Sequence, residues 1–274
     1  MVIINNNSGL TEAVYDGTNL TEIYVGNHLV WPVSPPSPIG NKLIYAINGT
    51  TSVIPCNGSD VISPQEIMLD IIDKGGEASD ISGMTSVVLG DCAREIYMLC
   101  FAECSAITSV TLNDNVREIG LSAFKDCVQL PSINLPSGIT QISDYVFESN
   151  YELSTVNIPS GTTYIGINSF FDCLSLLDIT IPSTVTQIGD GAFRASNWTA
   201  QDQYQYNKMN IMKSNRVVRC LATTPPQIGV NVFGIISGTV DIAAYDIYVP
   251  SESVEAYKSA SGWSEYADRI RPIQ

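Results

Sequence analysis

The sequence predicts a right-handed solenoid whose coils are each 23 residues long and made mostly of β-strand, with short helical turns that place it in the α/β class. Three observations predict it: phenylalanine recurs at this interval, isoleucine recurs at the same interval, and two further apolar columns keep the step through five copies without insertion or deletion. Such self-similarity is typical of repeats that bury their apolar edges by stacking on their neighbours. The four columns are Phe101, Phe124, Phe147, Phe170 and Phe193; Ile96, Ile119, Ile142, Ile165 and Ile188; Leu89, Leu112, Leu135, Ile158 and Ile181; and Val87, Val110, Ile133, Val156 and Ile179.

One copy shows how each repeat is expected to fold. Leu130, Ile133 and Leu135 point inward from a short strand, and the chain then turns outward through Pro and Gly. Ile142 adds a second inward contact, and Phe147 closes the repeat from a short helical or 3₁₀ turn. A period of about 20 to 29 residues with this apolar spacing is the pattern of leucine-rich repeats.

The parts of the chain outside this pattern suggest a modular arrangement. Two short alternating runs on either side of Gly26 and Asn27 predict a β-hairpin, and the proline-rich stretch that follows predicts a stiff linker. A non-repeating cap is expected at each end of a solenoid, because the terminal repeat would otherwise expose its apolar edge. The predicted units are a small β-hairpin attachment element at residues 1–31, a linker at 32–41, an amino-terminal cap at 42–83 that is irregular after its first strand, five leucine-rich repeats at 84–196, an insertion at 197–216, and final repeats with a carboxy-terminal cap at 217–274.

Composition excludes several classes of partner. Acidic residues outnumber basic ones 28 to 13, giving a net charge of −15, whereas nucleic-acid binders need a basic surface. No window approaches the length of an apolar membrane span, so no membrane insertion is expected. The first residues lack the positive and apolar regions of a secretory signal, so the sequence itself leaves the compartment open, as it does the oligomeric state.

The placement of the seven cysteines speaks against a disulfide framework, and reduced, buried thiols are expected in the column that three of them share. Cys104, Cys127 and Cys173 share one column with Asn150 and Ser196, where a small polar side chain can hydrogen-bond loop backbone. The spacing of Cys92 and Cys100 with Cys104 matches no common zinc pattern, so we expect no metal site and no cofactor.

The candidate binding residues lie on the outward positions of the predicted strands and in the insertion. The strand positions are small and polar and lack the large aromatic or arginine side chains that anchor tight interfaces. They either bind a ligand or form ladders that only satisfy one another, and the aromatic insertion either binds or folds over the last repeat. The candidates are Ser109, Thr111, Ser132, Asn134, Thr155, Asn157, Asp178 and Thr180 on the strands, and Trp198, Tyr204 and Tyr206 in the insertion.

One segment carries a family resemblance. Residues Ile181-Pro-Ser-Thr-Val-Thr-Gln-Ile-Gly-Asp-Gly-Ala-Phe193 resemble the repeat motif of BspA-like leucine-rich repeat proteins of host-associated bacteria, and the run from Leu221 to Trp263 resembles that family's closing unit, with Ser251 expected to cap its helix. The likeness covers about residues 42–274. It implies a curved, ligand-binding solenoid on cell-surface or extracellular proteins involved in adhesion, with no catalytic residues to transfer.

Two functional hypotheses follow. The first is a non-enzymatic module that binds a host or microbial surface protein; the second is a structural or receptor-binding component of a phage-like or surface assembly, attached through the hairpin. Enzymatic motifs are absent, and the single histidine, His28, lies beside the predicted turn without a second histidine. Acidic turns such as Asp144 with Glu148 read as solvated carboxylates rather than calcium sites.

Overall fold

The computed structural model describes residues 10–15, 20–25, 28–31, 41–56, 59–195, 216–234 and 245–274. Near the amino terminus, three strands form an antiparallel sheet in the order β1-β2-β3. Strands β2 and β3 flank residues 26 and 27, where the sequence predicts the hairpin turn. Their bounds are Leu10–Tyr15 for β1, Leu20–Val25 for β2 and His28–Trp31 for β3.

The segment before the repeats has more regular structure than the sequence suggested. Strands β4 (Asn41–Ile47) and β5 (Thr50–Pro55) form a hairpin around Asn48 and Gly49, which both have positive φ. A two-residue strand, β6 (Val61–Ile62), then precedes helix α1 (Pro64–Asp73), and a 3₁₀ helix spans Ala78–Gly83.

The expectation of an irregular region before the repeats is therefore wrong at helix α1. Ser63 caps this helix by accepting a hydrogen bond from the Glu66 backbone N–H, and a proline occupies its first turn. Ile67 and Ile71, one turn apart, are buried against the core. These start and periodicity signals are present in the sequence but lie outside the 23-residue pattern.

Each repeat contributes two short strands that pair in parallel with the same positions of the next repeat. Ser132 of one repeat pairs with Thr155 of the next, and Gln141 pairs with Tyr164, so paired residues lie 23 positions apart. The first strands are β7 (Met84–Leu89), β9 (Ser109–Thr111), β11 (Ser132–Asn134), β13 (Thr155–Asn157), β15 (Asp178–Ile181), β17 (Arg216–Cys220), β19 (Tyr245–Val249) and β20 (Ile270–Pro272). The second strands are β8 (Glu95–Ile96), β10 (Glu118–Ile119), β12 (Gln141–Ile142), β14 (Tyr164–Ile165), β16 (Gln187–Ile188) and β18 (Gln227–Ile228).

Hydrogen bonds join the first strands into sheets ordered β5-β4-β7-β9, β11-β13 and β15-β17-β19-β20, and the second strands into β6-β8-β10 and β12-β14-β16-β18. Strand β7 runs antiparallel to β4 and parallel to β9, so the β4–β5 hairpin is continuous with the repeat strands. The right-handed solenoid form and the two caps stay predictions.

A row of stacked phenylalanine rings forms the centre of the core. The five predicted rings are all buried, and the centroids of successive rings lie 5.2 to 5.9 Å apart. Phe233 extends the row, with its centroid 5.8 Å from that of Phe193. This sixth ring was not predicted, because it lies 40 positions after Phe193 rather than 23.

Close approach between repeats explains the glycine of the repeat motif. A side-chain carbon on Gly189 would lie 2.5 Å from the backbone nitrogen of Ile167, and one on Gly166 would lie 2.6 Å from that of Asp144. Only glycine leaves room for the preceding repeat's backbone at these positions.

The cysteine column has the predicted form. The thiol of Cys104 donates to the Ile81 carbonyl in the 3₁₀ helix before the repeats, and those of Cys127 and Cys173 donate to carbonyl oxygens of the preceding repeats, all at 3.2 to 3.3 Å. Asn150 fills a position of this column, and its Oδ1 accepts a hydrogen bond from the Cys127 N–H at 2.9 Å. Ser196 lies outside the described residues.

The expectation that the cysteines form no disulfide framework is wrong at one pair. Cys56, directly after β5, forms a disulfide with Cys92, in the turn after β7, across a sequence separation of 36. The β4–β5 hairpin returns the chain to the first repeat and brings the two residues together, which their spacing in the sequence does not reveal. The other five cysteines are free and buried, and the disulfide removes Cys92 from any metal site.

The carboxy-terminal segment adds aromatic side chains to the core. Helix α2 (Val254–Ser259) follows a 3₁₀ turn at Ser251–Ser253 and precedes a 3₁₀ helix at Trp263–Arg269. Tyr257 and Trp263 are fully buried and meet edge to face. The predicted cap at Ser251 is wrong: Ser253 is the residue at the helix start, and its hydroxyl donates to the carbonyl of Thr223.

Candidate functional site

The structure places the eight predicted strand candidates on the exposed face of the first strands. All eight side chains are exposed, while the residues that alternate with them pack toward the core. In the central pair of strands, Ser132 lies beside Thr155 and Asn134 lies beside Asn157. We call this surface the strand face; its candidates are Ser109 and Thr111 on β9, Ser132 and Asn134 on β11, Thr155 and Asn157 on β13, and Asp178 and Thr180 on β15.

The polar side chains of the strand face do not form ladders with one another. Within the described residues, only Asp178 among the eight makes a side-chain hydrogen bond, to Arg219. Hydroxyls one position earlier behave differently: Thr108 donates to the Thr85 carbonyl and Ser154 donates to the Pro131 carbonyl of the preceding repeat. Hydroxyls just outside the strand face therefore stabilise the stack, whereas those on it keep their donors and acceptors available.

A groove runs along one edge of the strand face, where the strands end in turns. Its volume is about 610 Å³, and the candidates Asn134, Asn157 and Thr180 line it. A second groove of about 800 Å³ adjoins it and shares Leu221, which is 42% exposed. The remaining lining residues of the first groove are Asp114, Leu135, Pro136, Ser137, Ile158, Pro159, Ser160 and Pro182.

The chemistry of both grooves is polar but nearly uncharged. Among the described residues, Asp114 is the only ionisable one that lines the first groove, and none lines the second. Amide and hydroxyl groups alternate there with proline and leucine side chains. Such a lining can hydrogen-bond a neutral backbone and contact apolar side chains, and it offers no cation for a phosphate.

Several acidic residues of the middle repeats have structural partners. Asp144 accepts hydrogen bonds from the Ile167 N–H at 2.8 Å and the Tyr164 hydroxyl at 3.0 Å. Burial, and then the hydrogen bond to Asp144, raise the pKa of Tyr164. Glu148 pairs with Lys125 at 2.9 Å.

The described part of the chain contains neither a metal-binding cluster nor a membrane-spanning helix. No group of three or more His, Cys, Asp or Glu side chains is arranged to hold a metal ion there. Among its helices, none has the length and apolar character needed to cross a membrane.

Three large side chains on the strand face were missed by the sequence analysis. Thr180 pairs with Arg219 of β17, Arg219 with Tyr248 of β19, and Tyr248 with Arg271 of β20. Arginine and tyrosine are the large anchoring residue types that the sequence does not predict on the strand face. The alternation of apolar residues in β17 and β19 is the sequence signal that could have revealed them. However, Arg219 lies 39 positions after Thr180, outside the 23-residue period.

Arg216, at the start of β17, has a structural role. Its guanidinium is buried and donates to the Tyr245 hydroxyl at 2.8 Å and to the carbonyls of Cys173 and Leu174. It also lies 4.9 Å from the Tyr245 ring centroid. The predicted insertion residues Trp198, Tyr204 and Tyr206 lie outside the described residues.

Comparisons with solved structures return leucine-rich repeat proteins. A leucine-rich repeat protein of T. pallidum is 27% identical over 54% of this chain and 74% of its own, with a TM-score of 0.43. A leucine rich cell surface protein of Faecalibacterium prausnitzii is 15% identical over 100% of this chain and 95% of its own, with a TM-score of 0.38. A leucine-rich repeat protein of Bacteroides ovatus is 14% identical over 99% of this chain and 76% of its own, with a TM-score of 0.37.

No curated protein matches the chain. The family model for the BspA type leucine rich repeat region matches with six copies over residues 79–199, where the sequence analysis counts five repeats in register over 84–196. The parallel strands, the buried phenylalanine row and the cysteine column all lie within or extend from this segment. Residues 79–199 of this chain are therefore a BspA-type leucine-rich repeat region.

Proposed function

We propose that the chain is a non-enzymatic binding module that recognises a protein on a host or microbial surface through its strand face. One observation carries the proposal: seven of the eight candidate side chains are exposed and make no hydrogen bond to any described residue. Polar groups already satisfied within the stack would gain little from a ligand, whereas these can exchange water for a partner's donors and acceptors.

The groove favours an extended, mostly neutral segment of the partner. Asn134 and Asn157 each offer one acceptor and two donors, which is what a peptide backbone requires. Neighbouring strands lie about 4.8 Å apart, so successive repeats present the same group at a regular step. Each contact is worth about 1 kcal/mol, so affinity arises from several repeats acting together.

Large anchors would have to come from outside the small polar columns. The insertion residues Trp198, Tyr204 and Tyr206 are the sequence candidates for this role. They form part of the proposal, and replacing Trp198 by alanine measures their contribution to binding.

The proposed location is the cell surface or the extracellular space. The Cys56–Cys92 disulfide supports it, because disulfides persist in oxidising compartments and are rare where glutathione and thioredoxin keep thiols reduced. The family resemblance points the same way.

The experiment uses one peptide and two matched substitutions. A phage-displayed random peptide library is selected on the immobilised chain, and the dissociation constant of the selected peptide is measured. Asn134→Arg places a large charged side chain in the groove, while Gln141→Arg makes the same change of charge at an exposed position on the second strand of the same repeat. Both positions are exposed, so both variants should fold.

We expect Asn134→Arg to weaken binding at least tenfold, equivalent to about 1.4 kcal/mol, and Gln141→Arg to leave it unchanged. Equal affinities of the two variants for the peptide would contradict the assignment of the strand face.

A further inference from the structure

The strand face changes its chemistry toward its carboxy-terminal end. In the repeats its candidate positions carry Ser, Thr, Asn and one Asp, but on the last three strands one continuous row carries Arg219, Tyr248 and Arg271 in direct register. Since adjacent strands lie about 4.8 Å apart, the two arginine backbones are about 10 Å apart with the tyrosine between them. We call these three residues the Arg–Tyr–Arg row.

The two arginines differ in their partners. Arg219 forms an ion pair with Asp178, and both side chains stay accessible, at 41% and 59% exposure. Arg271 is exposed, and its guanidinium donates a hydrogen bond to the carbonyl of the preceding residue, Ile270, at 3.1 Å. Within the described residues it has no carboxylate partner. Most of its five N–H donors therefore face solvent.

A small pocket adjoins the row. It has a volume of about 280 Å³ and is lined by Arg219, Tyr248, Ile273 and Gln274. A water molecule occupies about 30 Å³ of liquid, so the pocket has room for a side chain of a partner. Ile273 is held in place by its N–H, which donates to the Val249 carbonyl at 2.8 Å.

We propose that the Arg–Tyr–Arg row binds carboxylate side chains of an acidic segment in a protein partner. Guanidinium groups match the planar geometry of carboxylates and bind them through two parallel hydrogen bonds. Tyrosine and arginine are also the residue types that dominate binding energy at protein interfaces. The proposal rests on the proposed function and identifies the charged end of the same surface.

Nearby acids limit what the row accepts. Asp246 lies two positions before Tyr248 on the same face, and Asp178 neutralises Arg219. Two positive and two negative charges therefore lie close together, which fits one or two carboxylates and opposes a long polyanion. The remaining net negative charge of the chain is largely screened beyond about 8 Å at physiological ionic strength.

The test measures fluorescence anisotropy of a labelled peptide with a Glu-Leu-Glu core, compared with a peptide in which both glutamates are glutamine. Wild-type protein should bind the first peptide more tightly, and the difference should shrink as salt is added. Arg271→Gln should weaken binding of the glutamate peptide roughly tenfold. Lys258→Gln, which removes one positive charge from helix α2, should leave it unchanged.

Two results would overturn the row's assignment: equal affinity for both peptides, or an Arg271→Gln variant that binds the glutamate peptide as tightly as wild type. Thermal unfolding of the variant verifies that it is folded. The two peptides separate the two proposals. If Asn134→Arg loses the library-selected peptide while Arg271→Gln binds the glutamate peptide as tightly as wild type, the strand face stays assigned and the row is rejected. No effect of either substitution on either peptide would reject both.

Discussion

A phenylalanine in the buried row should contribute much more to stability than one just outside it, and Phe170→Ala tests this. The Phe170 ring is 2% exposed and lies between Phe147 and Phe193, with centroids 5.5 and 5.3 Å away. Two lost aromatic pairs account for about 1–3 kcal/mol. With the cavity and the lost burial, the total should reach about 3–5 kcal/mol.

The adjacent residue supplies the control. Phe171 is half-buried, and the Arg194 guanidinium lies 5.9 Å from its ring centroid. Replacing Phe171 by alanine removes the same atoms at a position outside the row and should lower the free energy of unfolding by about 1 kcal/mol.

Urea denaturation followed by circular dichroism measures both variants, with the slope against urea compared to verify that the same surface unfolds. Since a typical domain is stable by about 5–15 kcal/mol, the Phe170 variant should be conspicuously less stable. An equal loss in the two variants would refute the reasoning that the row carries the core.

Three further predictions concern the cysteines and one carboxylate. Reducing the Cys56–Cys92 disulfide, or replacing Cys92 by serine, should lower the free energy of unfolding by up to about 4 kcal/mol, from the chain entropy of a loop of this length; an unchanged urea midpoint under reductant would contradict it. The free thiols should resist alkylation in the folded protein and react fully in urea, since burial raises the pKa of Cys104 to about 12. Above about pH 8.5 the unfolded chain binds fewer protons than the folded one, so the free energy of unfolding should fall as pH rises past that value. A free energy of unfolding that stays constant from pH 8 to 11 would argue against buried thiols. Asp144→Ala should cost about 1–3 kcal/mol by leaving the Ile167 N–H without its acceptor, and should lower the Tyr164 pKa in an NMR titration, while Asp114→Ala, at an exposed turn, should do neither.

The periodic part of the structure was predictable because equal repeats restrict each column to one environment. Once Phe147 is inward, a residue 23 positions away must be inward too, so the row follows from spacing alone. The exposed positions of the strand face follow from the same rule, because strand residues alternate between faces.

The features that were missed depend on contacts outside the period. Helix α1 carries ordinary start signals, but no repeat column passes through it. The Cys56–Cys92 pair depends on the return of the β4–β5 hairpin to the first repeat. Arg219, Tyr248 and Arg271 join the strand face only after the insertion shifts the step from 23 to 39 residues, and the bonding of the polar columns depends on side-chain orientation that spacing does not determine.

Site-specific photo-crosslinking tests the central claim most directly, namely that the strand face is the surface that meets the ligand. A photoreactive amino acid is introduced at Asn157 in one protein and at Gln141 in another, and each is irradiated with the library-selected peptide. We expect a covalent adduct, identified by mass spectrometry, from position 157 and none from position 141. Crosslinking from position 141 alone would show that the ligand contacts the other strands and would contradict the proposal.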